Sequence, residues 1–350
     1  ISGNYIVVGA SGDDDACPED DRCNSGAVYV YRRVGDGNWI EEDKLVGSDT
    51  DEGDHFGGSV AIDGNTIAVL GSGGVVYVFE RQGSSWVEVA ILTRPPGTVG
   101  DGAFGTSLAA SDERLLVGAQ TDEAPQNGSG RGAAYVFARG ESGWEYEAAL
   151  LPADLGSLVS YGLRTAFKGD VAAIFAWDEL EPGVFDTVIY VFRDVGGSWV
   201  EEAKLLPPDG MEFPLSFGRS LDTDGESILV GGEQSAVRFE YDGTQWVESA
   251  ILKPEEELKE ENDHFGHSVA IAGDFALVKS YVEGDSLVEV FGGWGDCDGD
   301  GVSDGCEIVQ GTAGDCDQDL IPDLCEPDDC DADGTPDVCA VLAGAADCNN

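Results

Sequence analysis

Short runs of alternating apolar and polar residues recur along most of the chain, each bounded by Gly, Asn, Asp or Ser. Residues 56–92 show the pattern in full: FGGSVAI, a DGN turn, TIAVLGS, VVYVFER, a Gly/Ser turn and WVEVAIL. Period-2 alternation predicts strands, and Asp63-Gly64 predicts a tight hairpin because Gly tolerates the positive φ that such a turn needs. The stretch therefore predicts four short antiparallel strands.

This four-strand unit is repeated about every 50 residues. Two markers show the repeat, an aromatic residue followed by Gly and a Trp that opens the fourth strand. They are Phe56-Gly57, Phe104-Gly105, Tyr161-Gly162, Phe217-Gly218 and Phe265-Gly266, with Trp39, Trp86, Trp144, Trp199, Trp246 and Trp294. The period is typical of propeller blades, whereas a β-sandwich has no such period. We predict an all-β fold, a β-propeller of four-stranded blades with six blades visible in residues 1–295.

Both ends of the repeat array are incomplete. Residues 1–4, ISGN, align with IDGN at residues 62–65, so the first blade lacks its aromatic–Gly strand. The last copy runs through Phe291 and has Trp294 but no usable fourth strand. A strand from a preceding segment would complete that sheet and hide its edge, so we expect seven blades in the intact protein.

Several segments carry a resemblance to a known repeat. They are FGGSVAI at 56–62, FGHSVAI at 265–271, VVGA at 7–10, LVGA at 116–119, and the W-x-E strands that begin at Trp39, Trp86, Trp199 and Trp246. These segments resemble the FG-GAP repeats of integrin α-subunit propellers and, still more, of bacterial secreted proteins with tandem FG-GAP-type units. The resemblance covers residues 1–295 and implies a secreted or cell-surface scaffold for binding and adhesion.

One feature of integrin propellers is missing from the pattern. Those propellers carry calcium loops of the form DxDxDGxxD between the first two strands of a blade. The equivalent turns here read IDGN, SDER, KGDV, TDGE and AGDF, which are too short to wrap an ion. We therefore predict no calcium sites within the blades.

The long acidic connections are expected on one face, because second-to-third and blade-to-blade connections of a propeller emerge together. They are residues 12–25, with Asp13, Asp14, Asp15, Asp20 and Asp21, and residues 48–54, 122–130, 178–186 and 254–263. Rigid scaffolds commonly bind ligands through such loops. We therefore expect a ligand on this face, a protein or a glycan of unknown identity. The acidic rim is expected either to bind a cation or a basic partner, or to be only a solvated surface.

The charge is extreme, with 18 Lys and Arg against 69 Asp and Glu and a net charge of −51. Such a surface repels nucleic acids and anionic lipids, so we predict no nucleic-acid partner and expect cations, above all calcium. Solubility in a saline medium is the alternative reason for the acidity of the repeats. No apolar run reaches the roughly 18 residues of a membrane helix, which predicts no membrane span in this sequence.

Nine Cys fall in two places. Cys17 and Cys23 lie in one loop, which we expect them to staple, and the other seven follow residue 296. Because they frame carboxylate loops rather than form a zinc pattern, they favour disulfides and an extracellular location. The unpaired one is expected to be Cys348.

Composition changes abruptly after Trp294, since residues 296–350 contain no Lys or Arg and 16 Asp or Glu. We therefore expect a propeller domain at 1–295 and a separate tail at 296–350. The tail begins with a match to D-x-D-x-D-G-x-x-D-x-x-E, in which carboxylates and one carbonyl converge on calcium. The predicted ligands of this first loop are Asp296, Asp298, Asp300, the carbonyl of Val302, Asp304 and Glu307.

Two further loops follow the same spacing less completely. The second has Leu320 where Gly is expected, and the third ends in Ala340, which removes the bidentate ligand. The predicted ligands are Asp315, Asp317, Asp319, Ile321, Asp323 and Glu326 in the second loop and Asp329, Asp331, Asp333, Thr335 and Asp337 in the third. Ca²⁺ is thus the predicted cofactor, and an acidic linker without specific binding is the alternative.

Cys occupies the second and eleventh positions of each complete loop. Pairing within loops, 297 with 306, 316 with 325 and 330 with 339, is the first choice, and pairing between loops stays open. The segments between loops are too short for helices, so the tail resembles thrombospondin type 3 repeats rather than EF-hands. With almost no apolar core, the tail is expected to be irregular and held by ions and disulfides.

No catalytic constellation stands out in the sequence. His55 and His264 occupy the same slot before the aromatic–Gly pair, which favours a structural role, and no GxSxG, HExxH or P-loop is present. We predict that the protein is not an enzyme but a secreted or surface-displayed binding scaffold with a calcium-rigidified stalk. The alternatives are a carbohydrate-active propeller enzyme, which needs an acid pair, and a structural envelope component.

Overall fold

The strands that the structure describes form six antiparallel sheets that follow one another along the chain. The structure, a computed structural model, describes residues 1–14, 23–35, 37–100, 103–123, 131–153, 159–181, 184–208, 211, 216–254, 264–273, 275–282 and 285–292. In these ranges no helix is long and apolar enough to cross a bilayer.

Each sheet is one blade. The first has β1 (Tyr5–Ala10), β2 (Ala27–Val34) and β3 (Asn38–Leu45); the second has β4 (Val60–Asp63), β5 (Thr66–Gly71), β6 (Val75–Gln82) and β7 (Ser85–Leu92). The third has β8 (Phe104–Ser111), β9 (Arg114–Ala119), β10 (Ala133–Gly140) and β11 (Gly143–Leu150); the fourth has β12 (Thr165–Lys168), β13 (Val171–Glu181), β14 (Val184–Asp194) and β15 (Trp199–Leu205). The fifth has β16 (Ser220–Thr223), β17 (Ser227–Gly231), β18 (Ala236–Tyr241) and β19 (Trp246–Leu252); the sixth has β20 (His264–Ala272), β21 (Phe275–Val282) and β22 (Asp285–Gly292).

This strand order confirms the predicted all-β propeller and its six blades. Four blades pair their four strands in chain order, and the first and sixth blades contain three strands each within the described ranges. In the repeat, β1 is a second strand and β22 a third strand, as the incomplete ends of the array predict. A seventh blade and the boundary between propeller and tail stay predictions.

The first hairpin of the second blade follows its predicted turn. Asp63 pairs with Thr66, and Gly64 takes a φ of 54°. Residues 178–181 and 184–186 differ from expectation, because they belong to strands rather than to an open loop. There β13 and β14 extend as a long hairpin in which Asp178 pairs with Asp186. Aromatic and β-branched residues on both arms, around a Pro182-Gly183 sequence, favour strands over a loop.

The hydrophobic core lies between blades. Five clusters of buried side chains fill the five junctions between consecutive blades. Hydrogen bonds link neighbouring first strands and their turns, for example from Asp112 N to Asp63 Oδ2 at 3.0 Å and from Gly273 N to Asp224 Oδ2 at 2.9 Å. The first strands are therefore innermost and surround a central channel.

Close contacts between glycines explain why the repeat contains both a Gly-Ala motif and an aromatic–Gly motif. A Cβ on Gly9, at the end of a second strand, would lie 2.0 Å from the carbonyl oxygen of Gly57 in the next blade. The same approach joins Gly118 to Gly162 at 2.0 Å. Only glycine allows backbones to meet this closely. The Gly-Ala and aromatic–Gly motifs thus form a single contact between two blades.

The recurring Trp residues join blades at the outside. In three blades the indole N–H at the fourth strand donates to a Glu of the preceding blade. The bonds run from Trp144 Nε1 to Glu80 Oε1 (3.0 Å), from Trp199 Nε1 to Glu147 Oε1 (2.9 Å) and from Trp246 Nε1 to Glu202 Oε2 (2.8 Å).

Candidate functional site

The long connections leave from one end of the blades. Adjacent strands are antiparallel, so connections between second and third strands emerge beside those between blades. Parallel bridges join a connection between second and third strands to the aromatic residue that opens the next blade; they pair Gly26 with Phe56, Gly132 with Tyr161 and Gln234 with Phe265. We call this end of the propeller the loop face.

Asp13 fixes the base of the first loop. Its carboxylate accepts a hydrogen bond from the Tyr29 hydroxyl at 2.6 Å and lies 2.9 Å from Lys44 Nζ. The Asp13 carbonyl also accepts from Gly26 N at 2.9 Å, which closes the loop. The hydrogen bond to Asp13 raises the pKa of Tyr29, so this hydroxyl stays a donor at neutral pH.

Asp122 holds the corresponding loop of the third blade. It is fully buried, at 0% exposure, and accepts hydrogen bonds from the Tyr135 hydroxyl at 3.2 Å and from Arg94 Nε at 2.8 Å. Arg94 follows β7, so this ion pair also joins the third blade to the second. Burial, followed by the negative charge of Asp122, raises the pKa of Tyr135.

Asp178 repeats the arrangement in the fourth blade. The Tyr190 hydroxyl donates to its carboxylate at 3.2 Å, and Lys204 pairs with the same oxygen. In the second blade, whose β5 and β6 are joined by a tight turn, the Tyr77 hydroxyl instead donates to Asp49 in the connection from the first blade. A tyrosine of the third strand is therefore a shared anchor of the loop face in the first four blades.

These contacts change the expected role of three acidic residues. The sequence placed Asp13, Asp122 and Asp178 in acidic connections open to a ligand, whereas the structure uses all three to fix loop bases. Sequence reasoning did not identify the tyrosine anchors. The signal was present, because Tyr recurs in VYVY, VYVF, AYVF and IYVF of successive third strands, but the partner Asp lies far away along the chain.

A metal site on the loop face is not seen in the part that the structure describes. There, no group of three or more His, Cys, Asp or Glu side chains is arranged to hold an ion. Residues 15–22, 124–130 and 255–263 lie outside the described ranges. The predicted cation or basic partner of the rim stays a prediction.

The two histidines of the shared slot make blade-to-blade contacts. His55 Nδ1 lies 3.2 Å from the carbonyl oxygen of Ser11, and His264 Nδ1 lies 3.2 Å from Glu233 Oε1. Both partners belong to the connection after the second strand of the preceding blade. The contacts agree with the structural role that the shared slot predicts.

The predicted calcium ligands, from Asp296 to Asp337, lie outside the described residues, as do the cysteines of the tail. Cys17 also lies outside them. Cys23 is buried, at 1% exposure, and is disulfide-bonded. Its pairing with Cys17 stays a prediction.

Comparisons with known proteins agree with the repeat pattern. The family model described as FG-GAP repeat matches residues 1–31, 39–79 and 86–137. Together with the six blades, this match supports an FG-GAP β-propeller. No curated protein matches the chain.

Solved structures with a similar arrangement have low sequence identity. The computationally designed Ika8 protein is 14% identical, with 83% of this chain and 69% of that chain covered and a TM-score of 0.46. The N-terminal domain of Nup159 is 14% identical, with 76% and 71% covered and a TM-score of 0.40. A candidate 6-phosphogluconolactonase from Bacteroides uniformis is 12% identical, with 82% and 81% covered and a TM-score of 0.49. At these values the likenesses carry no argument about function.

Proposed function

We propose that this FG-GAP-type β-propeller is a secreted or cell-surface binding scaffold, without catalytic activity, that presents its loop face to a protein or glycan. A calcium-binding tail would serve as its stalk. The proposal extends the FG-GAP resemblance to integrin α-subunits and bacterial surface proteins from fold to role.

The observation that carries the proposal is the way in which the loop face is built. Aspartates at loop bases are held by tyrosines and cations on neighbouring strands, and glycines lock each blade to the next. A rigid base keeps the loops in one arrangement, so that less conformational entropy is lost when a ligand binds. Variable loops on a fixed scaffold are a common way to build a binding surface.

The predicted disulfides and calcium loops support an extracellular site of action. Cys23 is disulfide-bonded, and disulfides persist in oxidising compartments. The acid-rich tail repeats the spacing of calcium loops, and extracellular calcium modules have dissociation constants on the order of 10⁻⁴ to 10⁻³ M. Calcium would neutralise the carboxylates and stiffen the tail.

A pair of charge-reversal variants tests the loop face. The full chain is screened for binding against immobilised glycans and extracellular matrix proteins, and each ligand found is then measured with Glu52→Lys and Glu141→Lys. Both residues are exposed, but Glu52 lies in the connection between β3 and β4 on the loop face, whereas Glu141 lies in the opposite turn between β10 and β11.

Loss or gain of affinity with Glu52→Lys and no change with Glu141→Lys is the expected result. An effect of Glu141→Lys alone would place binding on the other face and contradict the proposal. Mass spectrometry of the bound glycans adds a second criterion, because cleavage products would show an enzyme rather than a scaffold.

A further inference from the structure

A cluster of positive charge lies at the loop-face end of the central channel. Arg219 and His267 directly follow the aromatic–Gly pairs of the fifth and sixth blades, and Arg164 follows the pair of the fourth blade with Leu163 in between, so all three lie near the start of the innermost strands. β12 is packed beside β16, and β16 beside β20. The three side chains therefore belong to neighbouring strands at one mouth of the channel.

The Phe175 ring lies next to both Arg164 and the backbone just before Arg219. The Arg164 guanidinium lies 5.8 Å from the centre of the Phe175 ring. Gly218, directly before Arg219, packs on the same ring, and a Cβ at Gly218 would lie 2.4 Å from Phe175 Cδ2. Burial, followed by the positive charge of Arg219, lowers the pKa of Arg164.

Arg164 is one of the few cations without a carboxylate partner in the part of this acidic chain that the structure describes. Ion pairs with carboxylates involve Arg32, Lys44, Arg81, Arg94, Arg114, Arg139, Lys168, Arg193, Lys204, Arg219 and Arg238. Arg164 is partly buried, yet within the described ranges its guanidinium has an aromatic contact and neither a hydrogen bond nor an ion pair. A partly buried guanidinium without a carboxylate loses hydration that nothing in the described protein replaces.

Within the described ranges, the charged groups beside the cluster leave it positive. The carboxylate of Glu233 lies 3.6 Å from Arg219 Nη1 and 3.2 Å from His264 Nδ1. Burial first, and then the charges of Arg219, Lys279 and His264, lower the pKa of His267. Farther along β16, Asp222 accepts a hydrogen bond from Ile271 N, and burial raises its pKa.

We propose that this mouth of the channel binds a small oxyanion, a single carboxylate, sulfate or phosphate group, between Arg164, Arg219 and His267. Guanidinium groups recognise all three by paired, charge-assisted hydrogen bonds. A small ligand fits better than a polyanion, because a net charge of −51 repels an extended chain of negative charge. The site is independent of what the loops bind.

Anion binding should be linked to protonation of His267. An anion beside the ring favours the charged imidazolium, so binding raises the pKa of His267 and becomes tighter as pH falls through that pKa. The positive charges of Arg219, Lys279 and His264 oppose this rise. The change in the pKa of His267 is therefore a direct probe of anion binding at this site.

The test follows the ring of His267 by NMR in the full chain at low ionic strength. Sodium sulfate and sodium acetate are titrated separately, with sodium chloride at matched ionic strength as the reference. The variants are Arg164→Gln, Arg219→Gln and Arg164→Lys, and Arg33→Gln is the control, since Arg33 is exposed and lies on β2. Circular dichroism checks that each variant is folded.

Saturable binding of sulfate, acetate or both, with a rise of the His267 pKa that chloride does not produce, is the expected result. Arg164→Gln and Arg219→Gln should each weaken binding roughly tenfold, the effect of losing one charge-assisted hydrogen bond. Arg164→Lys should keep part of the affinity, and Arg33→Gln all of it. Equal responses to sulfate, acetate and chloride in the unmodified chain, or equal affinities in Arg164→Gln and Arg33→Gln, would overturn the proposal.

Discussion

Tyr161 departs from the repeat in a way that is expected to lower the stability of the protein. The other aromatic–Gly pairs use Phe, and the Tyr161 side chain is buried in the same position, at 1% exposure. Among the residues that the structure describes, its hydroxyl has no hydrogen-bond partner. A buried hydroxyl without a partner loses hydration and gains nothing in return.

Replacement of Tyr161 by Phe is therefore expected to raise the free energy of unfolding, by about 1 kcal/mol at pH 7. Urea unfolding followed by fluorescence measures the change. Tyr190→Phe is the matched control and should lower stability, because it removes the bond to Asp178. If both variants were destabilised equally, the hydroxyl of Tyr161 would have to have a partner.

The same variant should change stability at alkaline pH. Burial raises the pKa of Tyr161 well above the ordinary value of 10.0. Between these two pKa values the unfolded chain loses the phenolic proton while the folded protein keeps it, so stability falls as pH rises above about 10. Tyr161→Phe should show a smaller loss between about pH 9 and 11 than the unmodified protein.

The close approach of glycines between blades gives a second prediction. Gly118→Ala would place a Cβ 2.0 Å from the backbone oxygen of Gly162. We expect it to lower the free energy of unfolding by about 2 to 3 kcal/mol, the usual effect of overpacking. Gly58→Ala is the control, since its nearest neighbour would be 3.6 Å away, and should change stability by less than about 0.5 kcal/mol. Equal effects would show that the blades separate easily at this junction.

Among the elements, the fourth strands depend on their Trp residues for more than burial. Trp199 donates to Glu147 of the preceding blade and lies 5.9 Å from the ring of Phe167, centre to centre. Arg114 lies over the same indole and pairs with Glu147. The outer edges of the third and fourth blades are thus held by one small network of an indole, a carboxylate and a guanidinium.

Trp199→Phe keeps a large ring but removes this donor. The loss of a hydrogen bond to a charged group is expected to lower the free energy of unfolding by about 1.5 to 3 kcal/mol. Trp39→Phe is the control, because Trp39 lies in the first blade described. The free energy of unfolding of this variant should fall by less than about 0.5 kcal/mol. Thermal and urea unfolding measure the loss of stability in both variants. Equal losses would contradict a role for the hydrogen bond between Trp199 and Glu147.

The strand elements could be predicted from the sequence because each has a local signal. Alternation marks the strands, Asp63-Gly64 marks a turn, and Phe56-Gly57 marks the start of a blade. The hairpin at 178–186 was missed because its acidic residues suggested a loop, although Trp177 and Phe185 favour strands. The tyrosine anchors were missed for another reason: Tyr135 and Asp122, or Tyr77 and Asp49, meet only after the chain has folded.

On the scale of the whole molecule, the repeat period predicted the number of blades and their order. It could not predict where charge would gather, since that depends on which side chains neighbouring blades bring together. The basic cluster at Arg164 and Arg219 arises in this way, in a chain with a net charge of −51. The exposed face of the sixth blade, with Val288 at 62% and Val290 at 65% exposure, is likewise visible only in the folded array.

We propose that the molecule has two parts, a propeller that binds ligands and an acidic tail that calcium makes rigid. Calorimetric titration of the oxidised full chain with calcium tests it most directly, with Asp300→Ala as the variant and Glu248→Ala as the control, because Glu248 is exposed on β19. We predict two or three saturable sites, with one weakened by Asp300→Ala and none changed by Glu248→Ala. The absence of binding at millimolar calcium, or equal binding by all three proteins, would contradict the account.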